Sequence, residues 1–457
     1  MTQQAIKTTK KLSQIGFGTY RLNNTTEEKE LLKKAIQEGI TVIDTAANYN
    51  DGQAEIAIGN VVQELIYNNE LKRDDITIIS KAGYLEGKTY SKHADSFKTM
   101  NTISKTAGYC LEPEFLNLQL SESLHRLTTD YIDYYLIQNP ETYFINNDDA
   151  TEETYYQYLF DAFSYLETEV SKGRITYYGI SSNTFSKTQT QKTATSLTKL
   201  IELLATIPNH HFKLIQCPFN IIENDLAKKN NDESFFECAH KNNLTVITNR
   251  PLNAIVNNQL FKLVDVDIDS SITEIEVHDL IELGQDHESA LKQTLTEKEI
   301  PNLSDLLNLF EKLNDILTNT VTYHTYKDLL ESIFVPQVDL IMQGCESLNL
   351  DQSIQNQLIQ YFSTFNQTAK ELSNYFKLIH HTAILELKAI LKNQIATDIP
   401  LNTICLQAYK NTPFITSSLL GIRTQEQLES SLNNLNHSIL DKPFLWDDIH
   451  FSNVTSQ

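Results

Sequence analysis

Three residues at or near the ends of apolar runs have the chemistry of a proton-transfer device. Asp44 closes the run "TVID", Tyr49 follows five positions later in a polar loop, and Lys81 ends "ITIISK". A tyrosine titrates near pH ~10, too high to exchange protons readily at neutrality. A neighbouring ammonium favours the phenolate and lowers that value, and a buried carboxylate keeps the ammonium charged. Asp44 and Lys81 beside Tyr49 therefore predict a tyrosine able to serve as a general acid. Gln138, at the end of "YYLIQ", adds a fourth polar group in the same kind of position.

Such groups meet only if the runs are strands whose C-terminal ends gather at one mouth. Eight apolar, β-branched segments fit that role: 15–19, 41–46, 76–81, 131–138, 175–181, 213–217, 244–249 and 413–418. Most are followed by helical spacing. Thr25 and Glu28 read as a capping box ahead of Leu31, Leu32, Ala35 and Ile36, and Gly39 closes that helix. Phe160, Phe163, Leu166 and Val170 line another helix. Eight short strands alternating with amphipathic helices predict an α/β fold, a (β/α)8 TIM barrel. An open doubly wound sheet is the alternative. Between 249 and 413 no comparable strand occurs, whereas 303–317 and 354–365 carry helical periodicity. The expected organisation is seven βα units over 12–260, a helical insertion over 261–385, the last barrel unit over 386–440 and a tail over 441–457. The insertion reads as a lid, a subunit contact or an outer decoration. A smaller expansion occupies 86–112, after the third strand.

Composition narrows the partners. The 457 residues carry 37 lysines and arginines against 59 acids, a formal charge of −22, which disfavours nucleic acid and anionic membranes. Any anionic ligand must then be held by a few well-placed cations and backbone amides. No apolar run reaches the ~18 residues of a membrane span, and "MTQQAIKTTKKLSQIG" lacks the apolar core of a secretory signal. Five scattered cysteines without a CxxC pair read as reduced, in a cytoplasmic protein. His210–His211 and His380–His381 are adjacent pairs rather than helical i, i+4 pairs, so no metal site is expected. The lone "GFG" at 16–18 lacks the third glycine and the prompt helix of a dinucleotide fingerprint.

The stretch "GITVIDTAANYNDGQAEIAIG" resembles the aldo-keto reductase signature, carried here by Asp44, Thr45, Ala46, Tyr49, Gly52, Glu55 and Gly59. The likeness recurs in chain order in "GFGTYRL", "SKAGY", "DYIDYYLIQNPE", "KGRITYYGISSN", "IQCPFN", "NRPLNA" and "GIRTQEQLESSL". It implies a barrel that binds a nicotinamide cofactor and exchanges hydride with a small carbonyl or alcohol substrate. By matching position it makes Tyr49 the acid/base, Lys81 its partner and Asp44 the lysine's anchor. Gly18, Thr19 and Tyr20 would border the nicotinamide, with Ser181, Ser182 and Gln216 at its carboxamide and Asn249 at the usual stacking position. Arg250, Pro251 and Leu252 match the pyrophosphate segment, and Gly421, Arg423, Gln427 and Ser431 the adenosine end. Arg423 favours NADP(H), because a guanidinium pairs bidentately with a 2′-phosphate.

Three positions depart from the family pattern: Gln138 replaces a histidine, and Ser182 and Ser431 each replace an asparagine. A glutamine amide still donates a hydrogen bond but cannot shuttle protons. The leading expectation is an NADP(H)-dependent oxidoreductase. The alternative is a nicotinamide-binding regulatory or scaffold protein with weak catalysis. Tyr109 and Cys110 lie where pocket lining and packing account for them equally well. Substrate identity and oligomeric state stay open.

Overall fold

The computed structural model describes residues 12–187, 194–230, 232–268, 272–319, 321–346, 348, 350–396, 398–436, 440, 443–447 and 449. The N-terminal stretch ahead of residue 12 and most of the expected tail lie outside them. Eight strands close into a barrel: β1 (Ile15–Gly18), β2 (Val42–Asp44), β3 (Thr77–Ala82), β4 (Ile132–Gln138), β5 (Ile175–Ser181), β6 (Phe212–Pro218), β7 (Thr245–Asn249) and β8 (Ser417–Leu420). They pair in parallel in sequence order, and β8 returns to β1 to close the ring. The open-sheet alternative is thereby excluded.

Barrel closure rests on an inward apolar layer of Val42, Ile79, Leu136, Leu214, Ile247 and Leu419. Two glycines make room for it. A Cβ at Gly16 would lie 2.5 Å from Leu419 Cδ2, and one at Gly179 would lie 2.0 Å from the Leu214 carbonyl oxygen. Helices cover the outside because their apolar stripes follow the 3.6-residue period. In the helix Glu152–Ser171 the buried stripe is Tyr155, Leu159, Ala162, Phe163 and Leu166, with Phe160 and Val170 half-buried at its margin.

Several local expectations are corrected. β8 begins at Ser417 rather than near Pro413, because Phe414 turns the chain with a left-handed φ of 69°. The Thr25–Glu28 cap is only half of a capping box. Thr25 accepts the Glu28 amide, but the Glu28 carboxylate turns to the Asn23 amide and the Thr25 hydroxyl. Within the expected tail, Phe444 and Trp446 are buried, and the Trp446 ring meets Phe219 at 4.8 Å between centroids.

The chain divides into two compact units, one formed by the residues up to Leu252 together with Thr403–Ile449, the other by Asn253–Asn402. The second extends beyond 261–385 at both ends. It opens with a hairpin, Asn253–Val256 paired with Gln259–Lys262, so two short antiparallel strands do lie between β7 and β8. It ends beyond a 40-residue helix, Gln352–Leu391. Its core is its own, built from residues such as Val277, Ile281, Phe310, Tyr361 and Phe376. Gly284 lets Phe310 approach, since a Cβ there would sit 1.9 Å from the ring. No helix among the described residues is long and apolar enough to cross a membrane.

The Gly179 contact is with backbone, which cannot swing aside. Gly179→Ala is expected to destabilise the barrel by about 1–3 kcal/mol, read as a lowered urea midpoint.

Candidate active site

Side chains alternate along a strand, so a residue two positions beyond an inward one also points inward. Asp44, Lys81, Gln138, Gln216 and Asn249 each stand two residues beyond a member of the apolar layer, at the C-terminal end of the barrel. The barrel therefore carries a polar layer directly above its apolar one.

That layer is hydrogen-bonded across the mouth. Lys81 Nζ donates to Asp44 Oδ2 at 2.6 Å, to the Thr45 carbonyl at 2.8 Å and to Tyr49 OH at 3.4 Å. The other Asp44 oxygen accepts Gln216 Nε2 at 2.7 Å. Gln216 Oε1 in turn accepts Ser181 Oγ at 2.9 Å and Asn249 Nδ2 at 3.3 Å. Thr19 closes the β1 side, donating its amide and its hydroxyl to the Asp44 carbonyl. Gly18 pairs in register with Asp44 beside it. Tyr49 opens a short 3-10 turn, Tyr49–Gly52, in which Asn50, Asp51 and Gly52 all have left-handed φ. Tyr20 packs edge-on against the Tyr49 ring at 5.2 Å and is itself exposed.

The electrostatics differ from the sequence expectation in one respect. Burial, reinforced by the Asp44 carboxylate, pushes the Tyr49 phenol well above its ordinary value rather than below it. Burial also lowers the Lys81 ammonium despite its carboxylate partner, and raises Asp44 despite Lys81 and Gln216. The phenol is thus held protonated next to an ammonium made more willing to release its own proton.

The remaining expected residues separate into groups. Ser181 joins the polar layer, but the Ser182 hydroxyl is engaged elsewhere, donating to Glu141 at 2.8 Å and accepting the Thr184 amide. Arg250 pairs with Glu223 at 2.8 Å and holds a left-handed φ of 58°. The Pro251 carbonyl accepts the Tyr409 hydroxyl, and Leu252 is half-buried. Gly421 lies in open space, with nothing within 4 Å of a Cβ built on it. Arg423 is exposed, and its guanidinium makes no ion pair among the described residues. Gln427 caps the same turn by accepting the Arg423 amide at 2.9 Å, while Ser431 is buried in its helix. Tyr109 and Cys110 are fully buried and pack. The Tyr109 hydroxyl donates to the Gln138 carbonyl, and burial pushes the Cys110 thiol up to about 11.

Two features escaped the sequence reading. Glu141 accepts the Asn183 amide and the Ser182 hydroxyl, each at 2.8 Å, and so ties the loop after β4 to the loop after β5. Its place directly after "QNP", at a strand end, was the available signal. Arg126 lies far from the motif in sequence yet organises it. It donates to the fully buried Glu55 at 2.7 Å, while Glu55 also accepts Ser80 Oγ at 2.6 Å. A Cβ on Gly52 would strike the Arg126 side chain, and one on Gly59 would strike its carbonyl. Gly52, Glu55 and Gly59 thus form the seat of one arginine, and Ser80 carries that seat to the neighbour of Lys81.

Comparison with known proteins bears on the family. The family model described as the Aldo/keto reductase family matches residues 14–303. An aldo-keto reductase of Bacillus subtilis (YhdN) is 28% identical over 244 residues, 51% of this chain and 57% of the relative. The NADH-specific methylglyoxal reductase of Escherichia coli is 28% identical over 137 residues, 27% of this chain and 37% of its own. The chain thus spans about half or less of the length of these curated relatives. The holo form of an aldo-keto reductase from Bacillus halodurans aligns at a TM-score of 0.47 and 16% identity, over 94% of this chain and 88% of that one. With more than half of its length matched by the family model, and the motifs in order around one barrel mouth, this chain belongs to the aldo/keto reductase family.

Proposed function

We propose that the protein is an NADP(H)-dependent oxidoreductase that interconverts a small carbonyl compound and its alcohol in the cytoplasm, a setting that suits its five free cysteines. The observation that carries this reading is the placement of Lys81 Nζ between the Asp44 carboxylate at 2.6 Å and the Tyr49 hydroxyl at 3.4 Å. A carbonyl oxygen held against Tyr49 becomes an alkoxide as its carbon gains hydride, and an alkoxide is basic enough to take the proton even of a phenol whose pKa is raised. Lys81, its own proton loosened by burial, stands where it restores the phenol. Asp44 keeps Lys81 oriented, and Gln216 keeps Asp44 oriented.

The residues present fit a nicotinamide dinucleotide. Buried amide oxygens without partners among the described residues stand in the polar layer at Gln138 and Asn249, and the surroundings of Gly421 are open. When bound, the dinucleotide supplies or accepts the hydride. Gly18, Thr19, Tyr20, Ser181, Gln216 and Asn249 would hold its nicotinamide end. Arg250, Pro251 and Leu252 would hold the pyrophosphate, and Gly421, Arg423, Gln427 and Ser431 the adenosine. Ser182 contributes through its bond to Glu141, which fixes the loop beside Ser181. The guanidinium of Arg423, without an ion pair among the described residues, favours the 2′-phosphate of NADP(H).

Tyr49→Phe is expected to lower kcat for carbonyl reduction about 10²–10⁴-fold while leaving NADPH binding, followed by fluorescence quenching, intact. Wild-type turnover in the variant would reject Tyr49 as the acid. Reduction requires the protonated phenol and oxidation its conjugate base. The raised pKa therefore predicts a reduction rate that stays level from pH 6 to 9 and an oxidation rate still climbing at about pH 10. A plateau in oxidation near neutral pH would contradict it. Arg423→Ala should weaken NADPH binding about tenfold or more with little change for NADH. Equal losses for both cofactors, or tighter binding of NADH by the wild type, would reject the NADP(H) assignment.

A further inference from the structure

Among the inward polar residues, Gln138 differs from its neighbours. Its direction is fixed by the sheet. Gln138 is in register with Ser181, and Ser181 with Gln216, so the three share one face of the barrel wall. Gln216 reaches across the barrel to Asp44, so that face is the interior. Lys81, Asp44, Gln216 and Ser181 form one hydrogen-bonded chain in that order, and Asn249 joins it at Gln216 through its amide nitrogen. The Gln138 side chain is only 7% exposed, yet its Oε1 is buried without a partner and its Nε2 donates to no described residue.

Burying an unsatisfied amide is costly, and such groups are met by ordered water or by a ligand where protein does not do so; at the mouth of a reductase barrel a substrate can take that place. A primary amide differs from a neutral imidazole in what it offers. It presents donor and acceptor side by side on one planar group, and it does not titrate. Its complement is a ligand with an acceptor and a donor on adjacent atoms. A carbonyl oxygen receiving Nε2–H, with a hydroxyl on the neighbouring carbon donating to Oε1, meets that description.

Resting on the carbonyl-reductase reading, we propose that Gln138 is the specificity-determining residue of this site and selects α-hydroxy carbonyl substrates over apolar ones of the same shape. In the reaction the C=O π bond opens, its carbon gains hydride from the reduced nicotinamide, and its oxygen gains the Tyr49 proton. The product is a vicinal diol, with the cofactor oxidised. The hydroxyl beside the reacting carbon is unchanged throughout and serves only recognition. A site whose buried amide is met by one substrate and left unmet by its analogue discriminates through that difference.

The test compares hydroxyacetone with butanone, which replaces the hydroxyl by a methyl group, using NADPH and the full-length protein. The wild type is expected to favour hydroxyacetone by about tenfold or more in kcat/KM. Gln138→Met, which keeps the length and removes both hydrogen-bonding groups, should bring the ratio to within about threefold of unity. Gln138→Leu serves in its place should the Met variant not fold. A merely structural glutamine would lower both values together and leave the ratio unchanged, which would overturn the proposal. A wild type reducing both ketones equally would overturn it too, while leaving the reductase reading standing. A wild type that reduces neither ketone with NADPH or NADH would overturn the reductase reading and this inference with it.

Discussion

A single carboxylate at the top of β2 accounts for much of the architecture of the mouth. Asp44 is buried, and a buried charge persists only when its oxygens are met by strong donors. One oxygen meets Lys81 from the adjacent β3, the other meets Gln216 from β6 on the far side of the ring. Lys81 comes with the pairing of β2 and β3, but Gln216 can be supplied only when the sheet closes, because β2 and β6 are not neighbours in the pairing order. The site and the barrel are therefore one construction. Leaving Asp44 half-satisfied is costly, and the closed barrel removes that cost with groups that also organise Tyr49.

The same construction explains why the tyrosine is protonated rather than ionised. Dry walls that strengthen the Lys81–Asp44 contact also desolvate the phenol, and Asp44 disfavours a second negative charge nearby. Simple adjacency to an ammonium suggests a lowered pKa. Burial reverses that sign, because desolvation acts on every charged form at once whereas the ion pair spends most of its attraction internally. In the proposed reaction the lysine then matters less as a device for ionising Tyr49 than as the proton source behind it.

Period-two patterning made the barrel wall legible in the sequence. Val42 to Asp44, Ile79 to Lys81 and Leu136 to Gln138 are each an apolar residue followed two positions later by a polar one. Identity and inward direction could both be read from that spacing. Contacts between distant segments could not. Arg126 has no local feature that marks it as the partner of Glu55, 71 residues earlier. Glu141 owes its role to loops brought together only when β4 and β5 pair. The eighth strand was misplaced because "PFIT" has strand-like composition, while its backbone is committed to a turn at Phe414. Local composition cannot report such a commitment, which belongs to the entry of the strand into a closed ring.

The interruption before β8 is less disruptive than its length suggests. β7 must find β8 across a long excursion: Thr248 and Ser418 bond at 2.7 Å although 170 residues apart. The entropy of closing a loop grows only with the logarithm of its length, so replacing an ordinary βα connection of about 30 residues by this one costs only about 1–2 kcal/mol. The inserted segment lowers even that, because it folds around its own core of Val277, Ile281, Phe310 and Tyr361 and does not remain a flexible loop. The kinetic consequence is larger than the thermodynamic one. The ring cannot close, and Asp44 cannot be fully enclosed in it, until a strand encoded 170 residues beyond its neighbour arrives, so the mouth is expected to be the last part of the barrel to dry.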